Sequence, residues 1–219
     1  MTGRQNDAFR RGEGDAYFER NQLSGNPTPT WVEETLADYA PFGGSVLEVG
    51  CSDGRRLEAL RSLRPDLVTL SGVDPSVAAI DSGQESWPHL DIHVSTADDL
   101  TCVTGGYDIV FFGFCLYLCD RDDLFTIAAA AHTKVKIGGI IAILDFDPPS
   151  PAKRQYAHLN GLWSYKMDYS QLWACNPEYT EVNRVREWAS TEPGRRSAFD
   201  RIALTVLRRH PDPYRLLDS

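Results

Sequence analysis

The stretch SVLEVGCSDGRRLEALRSL, residues 45–63, constrains this chain more than any other. Ser45–Val49 is a short apolar run with a single acid, so it reads as a strand buried on both faces. It passes straight into a small-residue turn with Gly50 and Gly54. The turn leads into a segment whose Leu57, Leu60 and Leu63 share one helical face. A buried strand feeding a helix through a glycine turn is the first half of a strand–helix–strand crossover, which implies a parallel sheet.

The rest of the chain repeats the alternation. TPTWVEETLADYA (28–40) spaces Trp31, Val32, Thr35, Leu36 and Tyr39 as a helix, stopped by PFGG (41–44). LVTLSGVD (67–74) predicts a strand ending in an acid, with the next helix starting at Pro75–Ser76. DIHVS (91–95) predicts a short strand, and YDIVFFGFCLYL (107–118) begins as a wholly apolar one. DRDDLFTIAAAAHTKV (120–135) reads as a helix capped by Asp120, and GGIIAILDFD (138–147) as a strand. Residues 179–189 and 199–209 predict a final antiparallel pair. The expectation is a doubly wound α/β sheet with helices on both faces.

Residues 148–178, PPSPAKRQYAHLNGLWSYKMDYSQLWACNPE, fit no such alternation. Their prolines and aromatic density predict an insertion over the carboxyl edge of the sheet, built of short helices and functional in role. The 219 residues suit one domain, with 1–43 as a helical cap, 44–147 as a core, 148–178 as the insertion and 179–219 as the terminal pair.

Composition removes several function classes. The net charge of -9 gives no overall electrostatic footprint for nucleic acid or an anionic membrane. The four arginines of RRLEALRSLR (55–64) read as a solvated helix face. No apolar run reaches the roughly 18 residues of a membrane span. The N-terminal stretch lacks the apolar core of a secretory signal, so a cytoplasmic location is expected. Five cysteines without a CxxC pair or accompanying histidines predict reduced thiols and no metal.

In doubly wound sheets, ligands bind at the carboxyl ends of strands where strand order reverses. Gly50 and Gly54 let backbone approach a guest, and the following helix offers free N–H groups. Asp74 ends the next strand about 20 residues on, a position suited to two ribose hydroxyls. A ribose nucleoside is the guest these residues predict. The run GCSDGRR lacks the third glycine of a dinucleotide fingerprint, with Arg55 in its place, and no GK[ST] phosphate loop is present.

LEVGCSDG resembles the first motif of class I S-adenosylmethionine-dependent methyltransferases, with Ser52 replacing the middle glycine. GVDPS (72–76) resembles the second motif and STADDL (95–100) the third. YDIVFFGFCLYL and GGIIAILDFD are similar to the fourth and fifth strands. The resemblance implies a seven-stranded, mostly parallel sheet ending in an antiparallel hairpin, and S-adenosylmethionine as cofactor. It assigns the cofactor to Glu48, Gly50, Cys51, Ser52, Gly54, Asp74, Pro75, Thr96, Ala97, Asp98 and Phe114. Asp74 would hold the ribose and Glu48 the amino group. The family's frequent adenine-binding aspartate falls on Thr96, leaving Asp98 or the Ala97 backbone for that role. FRRGEGDAYFERN (9–21) resembles a lid over the methionine end, with Tyr17, Arg20 and Asn21 as its contacts and Arg20 pairing with the carboxylate.

Methyl transfer is an in-line displacement that needs alignment and exclusion of water, and for an oxygen acceptor often a general base. His158, Asp147 and Asp168 are the catalytic candidates. Tyr117, Tyr156, Tyr165, Lys166 and Tyr169 are candidates for holding the acceptor. A small-molecule metabolite, such as a sugar or natural-product intermediate, fits an acidic chain with a mixed polar and aromatic insertion. Two other readings stand beside this one: a non-catalytic S-adenosylmethionine-binding accessory protein, and a dinucleotide-dependent oxidoreductase, the latter opposed by Arg55. Oligomeric state has no signature in the sequence.

Overall fold

A computed structural model describes residues 5–189 and 196–217. Residues 1–4 of the expected cap, and 190–195 and 218–219 of the terminal segment, lie outside the described residues. Five strands run parallel at the centre: β1 (Ser45–Val49), β2 (Thr69–Asp74), β3 (Asp91–Val94), β4 (Tyr107–Gly113) and β5 (Val135–Phe146). β8 (Tyr179–Trp188) and β9 (Arg201–Arg209) complete a seven-stranded sheet in the order β3-β2-β1-β4-β5-β9-β8. β9 is antiparallel to both of its neighbours, so the terminal hairpin closes that side of the sheet. Strand order reverses between β1 and β4, which fixes where a ligand crevice opens.

The inner strands β1 and β4 and the second half of β5 are apolar because both of their faces are covered. Leu47, Val49, Val110 and Phe112 pack on one side with Ile127 and Ala131 of α6 (Leu124–Lys134). Val46, Ile109 and Phe111 pack on the other. There they meet Leu36 of α3 (Trp31–Tyr39), Leu57 and Leu60 of α4 (Arg55–Leu63), and Ile80 of α5 (Val77–Ser86). Successive strand residues thus feed alternate cores, the period-two geometry of a pleated strand. α3 starts at a capping box: Thr30 accepts from the Val32 N–H at 3.3 Å, and Glu33 accepts from the Thr30 N–H at 2.7 Å. Such a cap contributes about 1 kcal/mol.

Two sequence expectations are corrected. The insertion is mainly a β-hairpin, with β6 (Ala152–Gln155) and β7 (Trp163–Lys166) antiparallel, followed by a single helical turn, α7 (Gln171–Ala174). The tyrosine and tryptophan content that suggested short helices suits a strand pair equally well. Asp120 does not cap α6, which follows a 3₁₀ turn at Arg121–Asp123. Asp120 instead accepts the Gln5 and Asn6 N–H groups at 3.0 and 2.9 Å, from the far end of the chain. Among the described residues, no helix is long and apolar enough to cross a membrane, and no cluster of three or more His, Cys, Asp or Glu is placed to hold a metal.

Candidate functional site

A cavity of about 350 Å³ opens at the carboxyl ends of β1, β2, β3 and β4. Its floor is the turn after β1. Gly50 stands at φ +79°, and a Cβ there would come within 2.6 Å of the Cys115 Cβ. The glycine therefore makes room for a neighbouring strand end as well as for a guest. Gly54, at φ +78°, starts α4 and packs on Leu90, whose Cδ1 lies 2.8 Å from where a Cβ would be. It does not line the cavity, which corrects the expectation of a direct contact. Ser52 (φ 50°) and Phe114 (φ 63°) both line the cavity in a left-handed conformation that side chains rarely adopt. Strain of this kind gathers at functional turns.

Asp74 ends β2 with its carboxylate facing the turn. Oδ2 accepts from the Ser52 N–H at 2.9 Å and Oδ1 from the Ser76 N–H at 2.9 Å. Burial pushes its pKa up to about 6, against the pull of those two N–H groups. Glu48 is buried beneath the same cavity. Burial raises its carboxyl to about 8, while Arg56 opposes the shift from 3.2 Å. Arg56 also pairs with Glu33 at 2.9 Å, which holds it in place above the Phe111 ring.

Three buried acceptor-capable atoms in the wall have no hydrogen-bond partner: Asn6 Oδ1, Glu48 Oε2 and Thr96 Oγ1. Leaving such groups unmet costs roughly 1–3 kcal/mol each. The Asp74 carboxylate in this wall suits the hydroxyls of a nucleoside. Ser95, Thr96, Ala97 and Asp98 form the far end of the cavity against apolar Leu118 and Ile127.

The roof is the N-terminal segment: α1 (Gln5–Ala8), a wide π-type turn at Phe9–Glu13, and α2 (Gly14–Asn21). Gly12, at φ 137°, interrupts the helical path between the two pieces. Asp15 ties α2 to the start of α5 by accepting from Ser76 Oγ at 2.7 Å and the Ala78 N–H at 3.0 Å. Gln5 bridges the Leu118 carbonyl and the Trp163 N–H. The roof is thereby fixed to the core and to the inserted hairpin together.

Of the expected cofactor contacts, Tyr17, Asn21, Glu48, Gly50, Cys51, Ser52, Asp74, Pro75, Thr96, Ala97, Asp98 and Phe114 line the cavity. Arg20 does not: it forms an ion pair with Glu13 and donates to Tyr156 Oη at 3.1 Å. The Tyr156 hydroxyl in turn donates to Glu13 at 2.8 Å. Arg20 thus holds the roof to the hairpin through one guanidinium nitrogen, Nη2.

The acceptor-side candidates are mostly engaged elsewhere. His158 is exposed on the β6–β7 loop with its ring 5.3 Å from that of Tyr156, outside the cavity. No general base stands at that position, because the loop turns outward. Asp147 meets Arg184, Arg186 and Arg201 at 3.3, 2.7 and 2.9 Å. Asp168 meets Arg184 at 3.0 Å and Ser170 Oγ at 2.6 Å. Both acids border a separate void of about 10 Å³, large enough for a water and too small for an acceptor. Lys166 is buried over the Phe146 ring and paired with Asp200. Tyr165 lies under the Arg121 guanidinium at 4.4 Å, and Tyr169 accepts from Arg121 at 2.8 Å. These three brace the insertion.

Tyr117 does not line the cavity either, although it packs against Phe114, which does. Its N–H donates to Asp145 at 3.2 Å, its ring meets Phe114 and Phe146 edge-on, and burial with the nearby Tyr17 phenol holds its own phenol protonated. Asp145 is a buried carboxyl raised to about 7 by desolvation. Residues unforeseen from sequence also line the cavity, among them Asn6, Phe18, Gln22, Asp53, Arg56 and Cys115. Phe18 belongs to the quoted lid stretch; Asn6 precedes it and carries no motif signal.

Residues 46–139 match a family described as a methyltransferase domain. No curated protein matches the chain by sequence. Among solved structures, the 1,6-didemethyltoxoflavin-N1-methyltransferase of Burkholderia thailandensis, with bound 1,6-didemethyltoxoflavin and S-adenosylhomocysteine, is 16% identical with a TM-score of 0.67. That match covers 94% of this chain and 87% of the other. The N-methyltransferase NodS of Bradyrhizobium japonicum, in complex with S-adenosylhomocysteine, is 18% identical over 90% of this chain and 98% of that one, with a TM-score of 0.61. An amino pentose methyltransferase of Micromonospora echinaspora, involved in calicheamicin biosynthesis and bound to S-adenosylmethionine, is 15% identical over 90% and 96%, with a TM-score of 0.60. At these identities the likeness establishes the shared fold.

Proposed function

Since residues 46–139 match a methyltransferase domain, we propose that this chain is a class I S-adenosylmethionine-dependent methyltransferase that transfers the methyl group to an oxygen or nitrogen of a small-molecule metabolite. The observation that carries this reading is the roofed cavity at the carboxyl ends of the strands, with the Asp74 carboxylate in its wall. When bound, S-adenosylmethionine supplies a methyl carbon activated by its positive sulfur.

The chain's residues bind and enclose. Asp74 accepts from the ribose hydroxyls with the lone pairs left by Ser52 and Ser76. Glu48 Oε2 accepts from the α-ammonium, whose positive charge favours the ionised carboxylate and draws the raised pKa down. The apolar wall at Leu118 and Ile127 takes one face of the base, with Thr96, Ala97 and Asp98 along its edge. Tyr17, Asn21 and Phe114 border the methionine end, where an acceptor must reach the methyl group. The roof excludes water, and alignment in such an enclosed site can supply much of the rate acceleration. The small-molecule character of the acceptor is supported by the cavity's closed roof and by the acceptors named for the neighbouring folds, a didemethyltoxoflavin and an amino pentose.

The test is calorimetry with S-adenosylhomocysteine and with NAD, followed by a labelled-methyl screen of hydroxylated and amino metabolites. Binding of S-adenosylhomocysteine and transfer to one acceptor class are expected. Binding of NAD with no response to S-adenosylhomocysteine refutes the reading.

A further inference from the structure

The turn that follows β4, residues 114–119, supplies Phe114, Cys115, Leu118 and Cys119 to the cavity wall. By itself it is an unfavourable piece of chain. Phe114 stands at φ 63°, in a region that side chains rarely adopt, and Leu116–Leu118 is a single 3₁₀ turn. Two charged groups hold it from behind, outside the cavity. Asp145, buried at the end of β5, is approached by the Leu116, Tyr117 and Phe146 N–H groups, the last two at 3.2 and 2.8 Å. Arg121 donates through Nη2 to the Leu116 and Cys119 carbonyls at 2.7 and 2.6 Å, and through Nη1 to Tyr169 Oη at 2.8 Å. The turn's N–H groups are thus met by an anion and its carbonyls by a cation. Hydrogen bonds to charged groups are roughly twice as strong as neutral ones.

We propose that Asp145, together with Arg121, is a positioning residue: it touches no guest, and acts by fixing the turn that carries Phe114 and Leu118 into the cavity. This rests on the cofactor reading above, in which Phe114 borders the methionine end and Leu118 faces the base. One turn therefore meets the cofactor at two places, and loosening it lowers affinity. The grip needs the carboxylate ionised. Burial raises that carboxyl to about 7, so its charge changes close to neutral pH. The other titratable groups facing it are Cys115, Tyr117, Cys119 and Tyr169, all held neutral by burial, and the Arg121 guanidinium. Across the small void lie Asp147 and Asp168, both paired with Arg184. As pH falls through about 7, the turn should loosen and the cofactor should bind less tightly.

Calorimetry on the full chain with S-adenosylhomocysteine, between about pH 5.5 and about pH 8.5, tests this. Asp145→Asn keeps the size and one acceptor oxygen and removes the charge. It should weaken binding about 3- to 30-fold at the upper end and less than about twofold at the lower, where the native carboxyl is itself neutral. Asp74 and Glu48 titrate in both proteins, so the ratio of the two affinities isolates Asp145. Arg121→Lys keeps the positive charge and loses the paired contacts to Leu116 and Cys119. It should weaken binding about 3- to 30-fold at every pH, and it decides the matter if Asp145→Asn does not fold. Tyr179→Phe removes a buried hydroxyl bonded to His132 at 2.8 Å, away from the turn, and should lower the melting temperature with affinity unchanged. A loss in Asp145→Asn that is equal at both ends of the range, or no loss, overturns the positioning role while the cofactor reading stands. Unchanged affinity in Arg121→Lys does the same. A native protein that does not bind S-adenosylhomocysteine overturns the cofactor reading and this role with it.

Discussion

Replacing Asp74 by alanine separates a ribose-holding carboxylate from one that merely ties a turn. The carboxylate has about four lone-pair positions, of which the Ser52 and Ser76 N–H groups occupy two. The remainder face the cavity and suit two hydroxyl donors. Losing a charged acceptor for a hydroxyl pair costs about 1–3 kcal/mol, or roughly 5- to 150-fold in Kd. The unliganded protein should suffer less. Ser76 still caps α5 by accepting from the Ala79 N–H at 3.0 Å, and removal of the carboxylate relieves the burial that raises its pKa to about 6.

Titration of S-adenosylhomocysteine into native and variant protein, alongside thermal melts, measures both effects. Native binding should weaken as pH falls through about 6, because the protonated carboxyl loses its charge; the variant should lack that component and keep only the pH dependence that Glu48 and Asp145 bring. A deoxyribose analogue completes a double-mutant cycle in which variant and deletion should not add. Unchanged affinity in Asp74→Ala, or strict additivity with the analogue, refutes the placement of the ribose.

The roof and the buried acids give further expectations. Tyr156→Phe removes the hydroxyl that donates to Glu13 and accepts from Arg20, and should lower stability by about 1–2 kcal/mol in urea unfolding, an unchanged midpoint counting against the latch. Glu48 and Asp145 are raised by burial to about 8 and about 7, so the unliganded native state binds more protons than the unfolded chain across that range. Its stability should therefore fall as pH rises from about 5 to about 8, and urea midpoints that rise over the same interval would contradict the burial of these carboxyls.

The central sheet was legible because β1, β4 and the second half of β5 are nearly continuous apolar runs bounded by glycine or an acid, a pattern that survives without tertiary information. Gly50 and Asp74 were visible for the same reason, since both belong to the turns that end β1 and β2. Side-chain partners across the fold were not. Arg20 stands beside Glu19 in a charged lid stretch, yet nothing local reveals that Glu13 and Tyr156 will claim its guanidinium. Asp120 sits where a helix cap belongs, and only the folded chain shows that it serves Gln5 and Asn6. His158, a plausible base by residue type, is carried to the surface by a hairpin loop whose course depends on β6 pairing with β7. Long-range pairing decides such cases, and local pattern does not record it.

The anchoring of residues 5–21 has a consequence for the order in which the molecule assembles. Gln5 meets Leu118, Asp120 and Trp163, and Glu13 meets Tyr156, so this stretch waits for partners that lie more than 110 residues further along the chain. Contacts of such sequence separation close slowly, because the intervening loop must be ordered before they form. The sheet can gather its own strands first; the cover comes last. A ligand trapped beneath that cover then acts as a staple between segments far apart along the chain, and its departure calls for the release of the same contacts that completed the fold.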